Sequence, residues 1–160
     1  MARLVKKSQK FIKVDKKVIS LIHEILHMEL SSSIRYKFYE FTTTGIFHDA
    51  IVPNFNYISE ADADHAWELC MLLSSYGQET VVPAIEIGSY KTVKDYLNAM
   101  VEVKKNLIAK YDELRSLLSD KKSSNYDIGA VLVIENIMSE ERINMSELLK
   151  LLDQHSLKGI

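Results

Sequence analysis

Apolar side chains recur at alternating spacings of three and four residues in four long segments of this chain. That spacing places them on one face of an α-helix, so each segment predicts a long helix with one side turned to a core. The predicted segments are about 15–43, ending near Gly45; 55–76, after a loop around Pro53 and closed by Gly77; 93–118, with Thr92 as N-cap; and about 126–155.

The remaining sequence contains few turn-forming residues. Only 5 Gly and 2 Pro occur in 160 residues, which is too few for a many-stranded sandwich or barrel. Residues 78–91, with Pro83 and Gly88, read as an irregular crossover between the second and third helices. We therefore predict an all-α fold, an up-and-down four-helix bundle with one long crossover, formed by a single domain over residues 1–160. Residues 1–14 form a basic lead-in.

Charge and cysteine content exclude several functional classes. The net charge of −2 gives no global cationic field for nucleic acid or an anionic membrane. A single cysteine, Cys70, provides neither an intrachain disulfide nor a thiolate zinc site. No apolar run is long enough to cross a membrane, and no phosphate-binding glycine loop occurs. These features favour a soluble, cytoplasmic protein without nucleotide chemistry.

Each apolar face is interrupted near its middle by ionisable residues. They are Glu29 in the first segment, Asp62 and His65 in the second, Lys104 in the third and Glu141 in the fourth. Because burying a charge is costly unless it is paired or binds a metal, we expect these side chains to meet at one depth of the bundle. Carboxylates and an imidazole from facing helices form a mixed oxygen and nitrogen shell, for which iron or manganese are natural guests.

Several stretches resemble the ferritin-like superfamily, and its bacterioferritin branch in particular. Glu29, in ELSSSIRY, precedes Tyr36 by seven residues, and Asp62 follows Glu29 by 33 residues. The stretch DADHA then stands where that family has Glu-x-x-His. On the fourth segment, Glu141 and Asn144 occupy the places of a second such Glu and His.

The resemblance implies a metal site formed by Glu29, Asp62, His65, Glu141 and Asn144, with Asn144 as an outer partner of the ion, and catalytic roles for Tyr36 and Lys104. Tyr36 is expected either as a core aromatic with its hydroxyl bonded to a carboxylate or as a redox-active neighbour of the metal. Lys104 stands where a bridging Glu is expected. Two arrangements stay open: one divalent ion with Lys104 replacing a second ion, or a metal-free ionic network. Ala63 replaces the Met of haem-binding members, so no haem is expected.

Two functional hypotheses follow from the resemblance. The first is an iron-binding protein that oxidises or stores iron or protects against oxidative stress. It would be an enzyme if it has ferroxidase activity. The second is a degenerate structural or DNA-binding protein in which Lys104 has replaced the metal and the basic residues before residue 18 contact phosphate. In either case the resemblance implies a homo-oligomer, as a dimer or a cage.

Overall fold

A computed structural model of the chain describes residues 11–43, 48–82 and 84–157, and the side chains of residues 50 and 154–157 are not described. Most of the basic lead-in (residues 1–10), Gly45 and Pro83 therefore lie outside the described residues. Four helices account for most of the rest, and no strand is present in the described part of the chain. They are α1 (Lys16–Thr42), α2 (His48–Ser75), α3 (Val93–Ser119) and α4 (Ile128–Leu157).

The helices form a four-helix bundle, which confirms the predicted fold class. Helix α1 packs chiefly on α2, and α3 packs chiefly on α4. Contacts between α1 and α3 and between α2 and α4 join the two pairs. Helices α2 and α3 are therefore diagonally opposite each other in the bundle. Each pair is antiparallel, whereas α2 and α3 run in the same direction and need a connection along the full length of the bundle.

The crossover provides that connection. A 27-residue helix is about 40 Å long, and about 15 extended residues span a slightly greater distance. Residues 78–82 and 84–91 of this segment form no regular secondary structure, and side chains of α1 donate to its carbonyl groups. Arg35 donates to the Glu86 carbonyl and Tyr39 to the Gly88 carbonyl, and a ring nitrogen of His23 lies 3.1 Å from the Glu79 carbonyl oxygen.

Polar caps fix most of the predicted helix ends. The Asp15 carboxylate accepts a hydrogen bond from the Val18 amide at the start of α1, and Thr92 accepts one from the Asp95 amide at the start of α3. Gly77 follows α2 with a φ of 72°, a left-handed conformation that glycine adopts without strain. Asn125, buried in the loop before α4, exchanges two hydrogen bonds with Asp15 and so ties that loop to α1.

One predicted boundary was wrong. Helix α2 begins at His48 and contains Pro53, which had been expected in the preceding loop. Ile51 is fully buried in line with Phe55, so core packing continues through Pro53 and offsets both the backbone hydrogen bond that a proline removes and the clash of its ring with the preceding turn. Helix α1 ends at Thr42, within one residue of the predicted end at about residue 43, and Thr43 caps it by donating its amide to the Tyr39 carbonyl.

The core consists of two apolar clusters stacked along the bundle. One contains 18 buried side chains, including Leu26, Leu69, Leu114 and Ile134, and the other contains ten, including Tyr36 and Phe55. Buried polar side chains lie between the two clusters at mid-height. The interruption of all four apolar faces is thus one continuous polar layer across the bundle.

Candidate metal centre

The polar layer brings together the ionisable residues that interrupt the apolar faces. Its members are buried almost completely and come from all four helices: Glu29, Asp62, His65, Lys104, Glu141 and Asn144. These side chains therefore lie together at one depth of the bundle, as predicted. Apolar residues above and below exclude water from the layer, so electrostatic interactions within it are stronger than at the surface.

Lys104 lies at the centre of the layer. Its Nζ donates to Asp62 Oδ1 at 2.5 Å, across the diagonal of the bundle, and to Glu141 Oε1 at 2.8 Å on the neighbouring helix. Although burial acts in the opposite direction, the carboxylates of Asp62 and Glu141 raise the pKa of Lys104 above its ordinary value. Lys104 is therefore a fixed positive charge inside the bundle.

His65 points one ring nitrogen into the layer and the other outward. Its Nδ1 lies 3.2 Å from Glu141 Oε1 and 3.4 Å from Glu29 Oε1, although neither contact has hydrogen-bond geometry. On the outer side, Nε2 lies 3.1 Å from Oε2 of Glu140, whose side chain is 46% exposed. A carboxylate on the outer nitrogen of a histidine orients the ring and leaves the inner nitrogen for a metal.

Four buried atoms of the layer that could act as metal ligands lack a hydrogen-bond partner. They are one carboxylate oxygen each of Glu29, Asp62 and Glu141, together with Nδ1 of His65. The same four residues each present a possible ligand atom, and these atoms all lie within 4.8 Å of one another. Buried polar atoms without partners are rare in native proteins, so four residues with such atoms in one cluster are suited to binding a ligand. This donor set fits a divalent transition-metal ion.

The carboxylates differ in how readily they ionise. Burial raises the pKa of Asp62 to about 8 although Lys104 acts in the opposite direction, and burial together with Glu141 raises the pKa of Glu29. For Glu141, Lys104 and His65 outweigh the effect of burial and lower the pKa. Burial alone would lower the pKa of His65, but the carboxylates of Glu141 and Glu29 raise it to about 11. In the metal-free protein, His65 and Asp62 therefore retain protons, and these protons reduce the negative charge of the layer.

The layer has approximate two-fold internal symmetry. Glu29 on α1 and Lys104 on α3 occupy equivalent positions, and each is followed seven residues later by a tyrosine, Tyr36 or Tyr111. On the partner helices, Asp62 and His65 of α2 correspond to Glu141 and Asn144 of α4. The first half holds two carboxylates and a histidine, whereas the second half has Lys104, Glu141 and Asn144 at the corresponding positions.

This asymmetry corrects one expectation for Tyr36. The hydroxyl of Tyr111 donates to Glu29 Oε1 at 2.6 Å, whereas the equivalent hydroxyl of Tyr36 has no hydrogen-bond partner. The expected bond from Tyr36 to a carboxylate is absent because the acceptor at the symmetric position is Lys104, which can only donate. The Asn144 side chain is buried in the layer, and its amide nitrogen is also without a partner.

Two residues with contacts to the layer were not predicted from the sequence. Tyr111 had been read only as part of the apolar face of α3, and Glu140 had not been considered. The seven-residue spacing from Lys104 to Tyr111 repeats the spacing from Glu29 to Tyr36 and could have identified Tyr111. Glu140 directly precedes Glu141, but its contact with His65 depends on how α2 and α4 pack, which no local pattern specifies.

Two solved structures share this architecture at low sequence identity. A ferritin-like, diiron-carboxylate protein from Bacillus anthracis str. Ames superposes with a TM-score of 0.78 at 21% identity, over 86% of this chain and 96% of that one. This chain has the ferritin-like fold. The bacterioferritin-related protein of Bacteroides fragilis, described as a dodecameric thioferritin, matches with a TM-score of 0.76 at 17% identity over 92% of each chain.

The ferritin-like fold was recognised from a handful of residues in the sequence, and the structural matches confirm it. No family model and no curated protein sequence matches the chain. The helices within the described residues include none that is long and apolar enough to cross a membrane. Identities of 17–21% establish the fold alone, so the chemistry must be argued from the layer itself.

Proposed function

We propose that this protein binds iron as a single ion per chain, held by Glu29, Asp62, His65 and Glu141, with Lys104 in place of a second ion. The observation that carries the proposal is the set of four unpartnered donor atoms in the dry interior of the bundle. One cation could contact all four residues, because one possible ligand atom of each lies within 4.8 Å of the others. A mixed shell of carboxylate oxygens and one imidazole suits iron, with manganese as the alternative guest.

Charge balance favours one ion over two. The layer contains three carboxylates, one lysine and one histidine. With the carboxylates ionised, Lys104 charged and His65 neutral, the net charge is about −2, which a single divalent ion cancels. A second divalent ion would leave an uncompensated double positive charge in an apolar interior. Lys104 also holds Asp62 and Glu141 on the side where the second ion of a dinuclear site would lie.

The surrounding residues have distinct supporting roles in this proposal. Glu140 fixes the orientation of His65 so that Nδ1 faces the ion, and Tyr111 holds Glu29 by a hydrogen bond to one of its oxygens. Asn144 and Tyr36 are buried and would be outer partners of the centre. Bound iron would supply one-electron oxidation and reduction, and the apolar clusters on both sides would keep bulk water away from it.

We extend the proposal to iron oxidation linked to storage or to protection against oxidative stress, in the cytoplasm and within a homo-oligomer. Support for assembly comes from large apolar side chains on the outer face of α2, including Trp67 at 66% exposure and Met71 at 56%. The structural neighbour from Bacteroides fragilis is itself described as dodecameric.

A second candidate function has one specific observation in its favour. Lys104 already contacts two of the three buried carboxylates without any metal, as expected of a degenerate site kept as an ionic network. Such a protein would act in structure or in binding DNA through its basic first residues. This candidate predicts no iron binding, and its DNA-binding form predicts that deleting residues 1–14 abolishes retention of duplex DNA on a gel.

The affinity for a divalent ion should rise steeply with pH. His65 has a pKa of about 11 in the metal-free protein, so it must lose a proton to bind the ion. Asp62 has a pKa of about 8, so below pH 8 it is mostly protonated and must release a second proton when the ion binds. We expect the association constant for Mn(II) or anaerobic Fe(II) to increase about ten- to a hundredfold per pH unit between pH 6 and 8.

Calorimetric titrations in buffers of different ionisation enthalpy measure the affinity and the released protons together. The Glu140→Gln variant is a useful comparison, because it removes a charge from the outer side of His65 and leaves the four donor atoms intact. A binding constant that does not change with pH would contradict the assignment of His65 as a ligand. Complete absence of binding would favour the degenerate site.

A further inference from the structure

We propose that a cleft at one end of the bundle binds a small, planar aromatic carboxylate. The cleft has a volume of about 520 Å³ and lies between the C-terminal end of α1, the end of the crossover and the first turn of α3. Clefts of about 300–1,000 Å³ are the usual size for binding small molecules. Tyr39, in its wall, follows Glu29 by ten residues, so the cleft is about 15 Å along α1 from the polar layer. This site is separate from the proposed metal centre and does not depend on iron.

Aromatic rings form much of the wall of the cleft. Four rings from three elements line it: Phe38, Tyr39, Tyr90 and Tyr96. The rings of Tyr39 and Tyr96 are stacked with centroids 3.8 Å apart, and the ring of Tyr90 lies 5.5 Å from each of them. The hydroxyl of Tyr39 also donates to the Gly88 carbonyl, which joins this wall to the crossover. Rings held at fixed angles favour a flat aromatic ligand, through offset-stacked and edge-to-face contacts.

A cation and free amide groups lie along the same cleft. Lys91 lines it and forms no ion pair with any described residue. Thr92 and Val93 line it as well, so the first turn of α3 opens onto the cleft. The amide of Asp95 is bonded to the Thr92 hydroxyl oxygen, whereas the amides of Val93 and Lys94 have no partner among the described residues. Free amides at the start of a long helix, together with an ammonium group, favour a carboxylate.

The lining argues against a cationic ligand. Aromatic cages often bind quaternary ammonium groups, but Lys91 would repel a cation, and none of the described residues that line this cleft is acidic. The hydroxyls of Thr42 and Thr43 donate to the carbonyls of Phe38 and Tyr39, so their oxygens are left to accept a hydrogen bond. A ring O–H or N–H of the ligand is the complement of these oxygens. The lining therefore matches a flat ring that carries a carboxylate and a hydrogen-bond donor.

Calorimetric titration of the full chain with 2-naphthoate tests the proposal, and two related compounds test each part of it. 2-Naphthamide keeps the flat rings without the charge, and cyclohexanecarboxylate keeps the charge without an aromatic ring. We expect 2-naphthoate to bind at least about tenfold more tightly than either compound. Lys91→Gln should weaken binding of 2-naphthoate about tenfold and leave binding of 2-naphthamide unchanged. Lys122→Gln, which changes an exposed lysine in the loop after α3, is the control and should affect neither compound.

Nuclear magnetic resonance of the unmodified protein locates the bound compound without any variant. The amide signals of residues 87–93 should shift when 2-naphthoate is added, and its ring protons should show nuclear Overhauser effects to Tyr39 and Tyr90. Equal affinity for 2-naphthamide, or an affinity for 2-naphthoate that Lys91→Gln does not change, would overturn the proposal. Shifts confined to residues around the exposed Trp67 of α2, or no binding at millimolar 2-naphthoate, would overturn it as well. None of these measurements needs a metal, so failure here and failure to bind iron are separate results.

Discussion

Replacing Lys104 by glutamate should convert the centre into one that needs two divalent ions. In metal-free protein we expect the Lys104→Glu change to lower the free energy of unfolding by about 3–5 kcal/mol, the usual cost of removing one partner from a buried ion pair. Asp62 and Glu141 lose the ammonium group that they share, and a fourth carboxylate joins the layer. This is among the largest effects that we expect from a single substitution.

Divalent ions should reverse that loss. Four carboxylates in the layer carry a charge of about −4, which two divalent ions cancel, so excess Mn(II) should restore much of the stability and the bound Mn(II) should rise from one toward two per chain. Adding Asn144→His should raise the affinity for the second ion, because it places an imidazole in the α4 half of the layer. Urea unfolding with a chelator and with excess Mn(II), together with the Mn(II) bound per chain, measures both effects.

Lys105→Glu is the matched control for this experiment. It makes the same chemical change one residue along α3, where the Lys105 side chain is 55% exposed and contacts only Glu102 among the described residues. Exposed ion pairs contribute little, so its stability should change by less than about 1 kcal/mol and its metal content should not change. A Lys104→Glu variant that is as stable as the control in chelator, or that binds no more Mn(II) than the unmodified protein, would refute the role of Lys104 as a substitute ion.

The second large effect is expected from removing two of the proposed ligands. The double substitution Glu29→Ala with His65→Ala deletes one carboxylate and the only imidazole of the layer, so Fe(II) and Mn(II) affinity should fall by at least about a hundredfold. Helical content should be retained, because Lys104 stays paired with Asp62 and Glu141 and both apolar clusters are unchanged. Circular dichroism and metal content after anaerobic dialysis provide the two measurements.

A pair of the same residue types outside the layer gives the control. Glu24 and His27 lie on α1, where Glu24 contacts Lys110 at the surface, and neither belongs to the cluster of possible ligands. Glu24→Ala with His27→Ala should therefore bind metal like the unmodified protein. If the double variant in the layer kept the metal content of this control, the ligand assignment would be wrong.

Much of the fold was predictable because the sequence repeats one signal four times. Apolar spacing, the caps at Asp15, Thr92 and Gly77, and the scarcity of turn residues all favour long helices, so local preference and global packing agree. The start of α2 was missed because a proline usually marks a loop. The burial of Ile51 against residues distant in sequence outweighs that local preference, and a sequence pattern does not contain this information.

The composition of the candidate centre was also predictable, but its contacts were not. Charged residues in the middle of apolar faces are costly, which made Glu29, Asp62, His65, Lys104 and Glu141 conspicuous. Which carboxylates Lys104 would contact, and which tyrosine would find an acceptor, depends on diagonal and cross-pair distances in the assembled bundle. Tyr36 and Tyr111 have equivalent positions in the sequence pattern, and only the structure shows that one hydroxyl is bonded and the other is not.

In the proposed centre, one ion and Lys104 together occupy the space in which a dinuclear site would hold two ions. An anaerobic Fe(II) titration of the metal-stripped protein, with iron-57 for Mössbauer spectroscopy of the same samples, tests it most directly. We predict one tight equivalent per chain, a single ferrous species and, after oxidation, a magnetically isolated ferric ion. Two tight equivalents with a spin-coupled ferric pair, or no binding above buffer, would contradict the account.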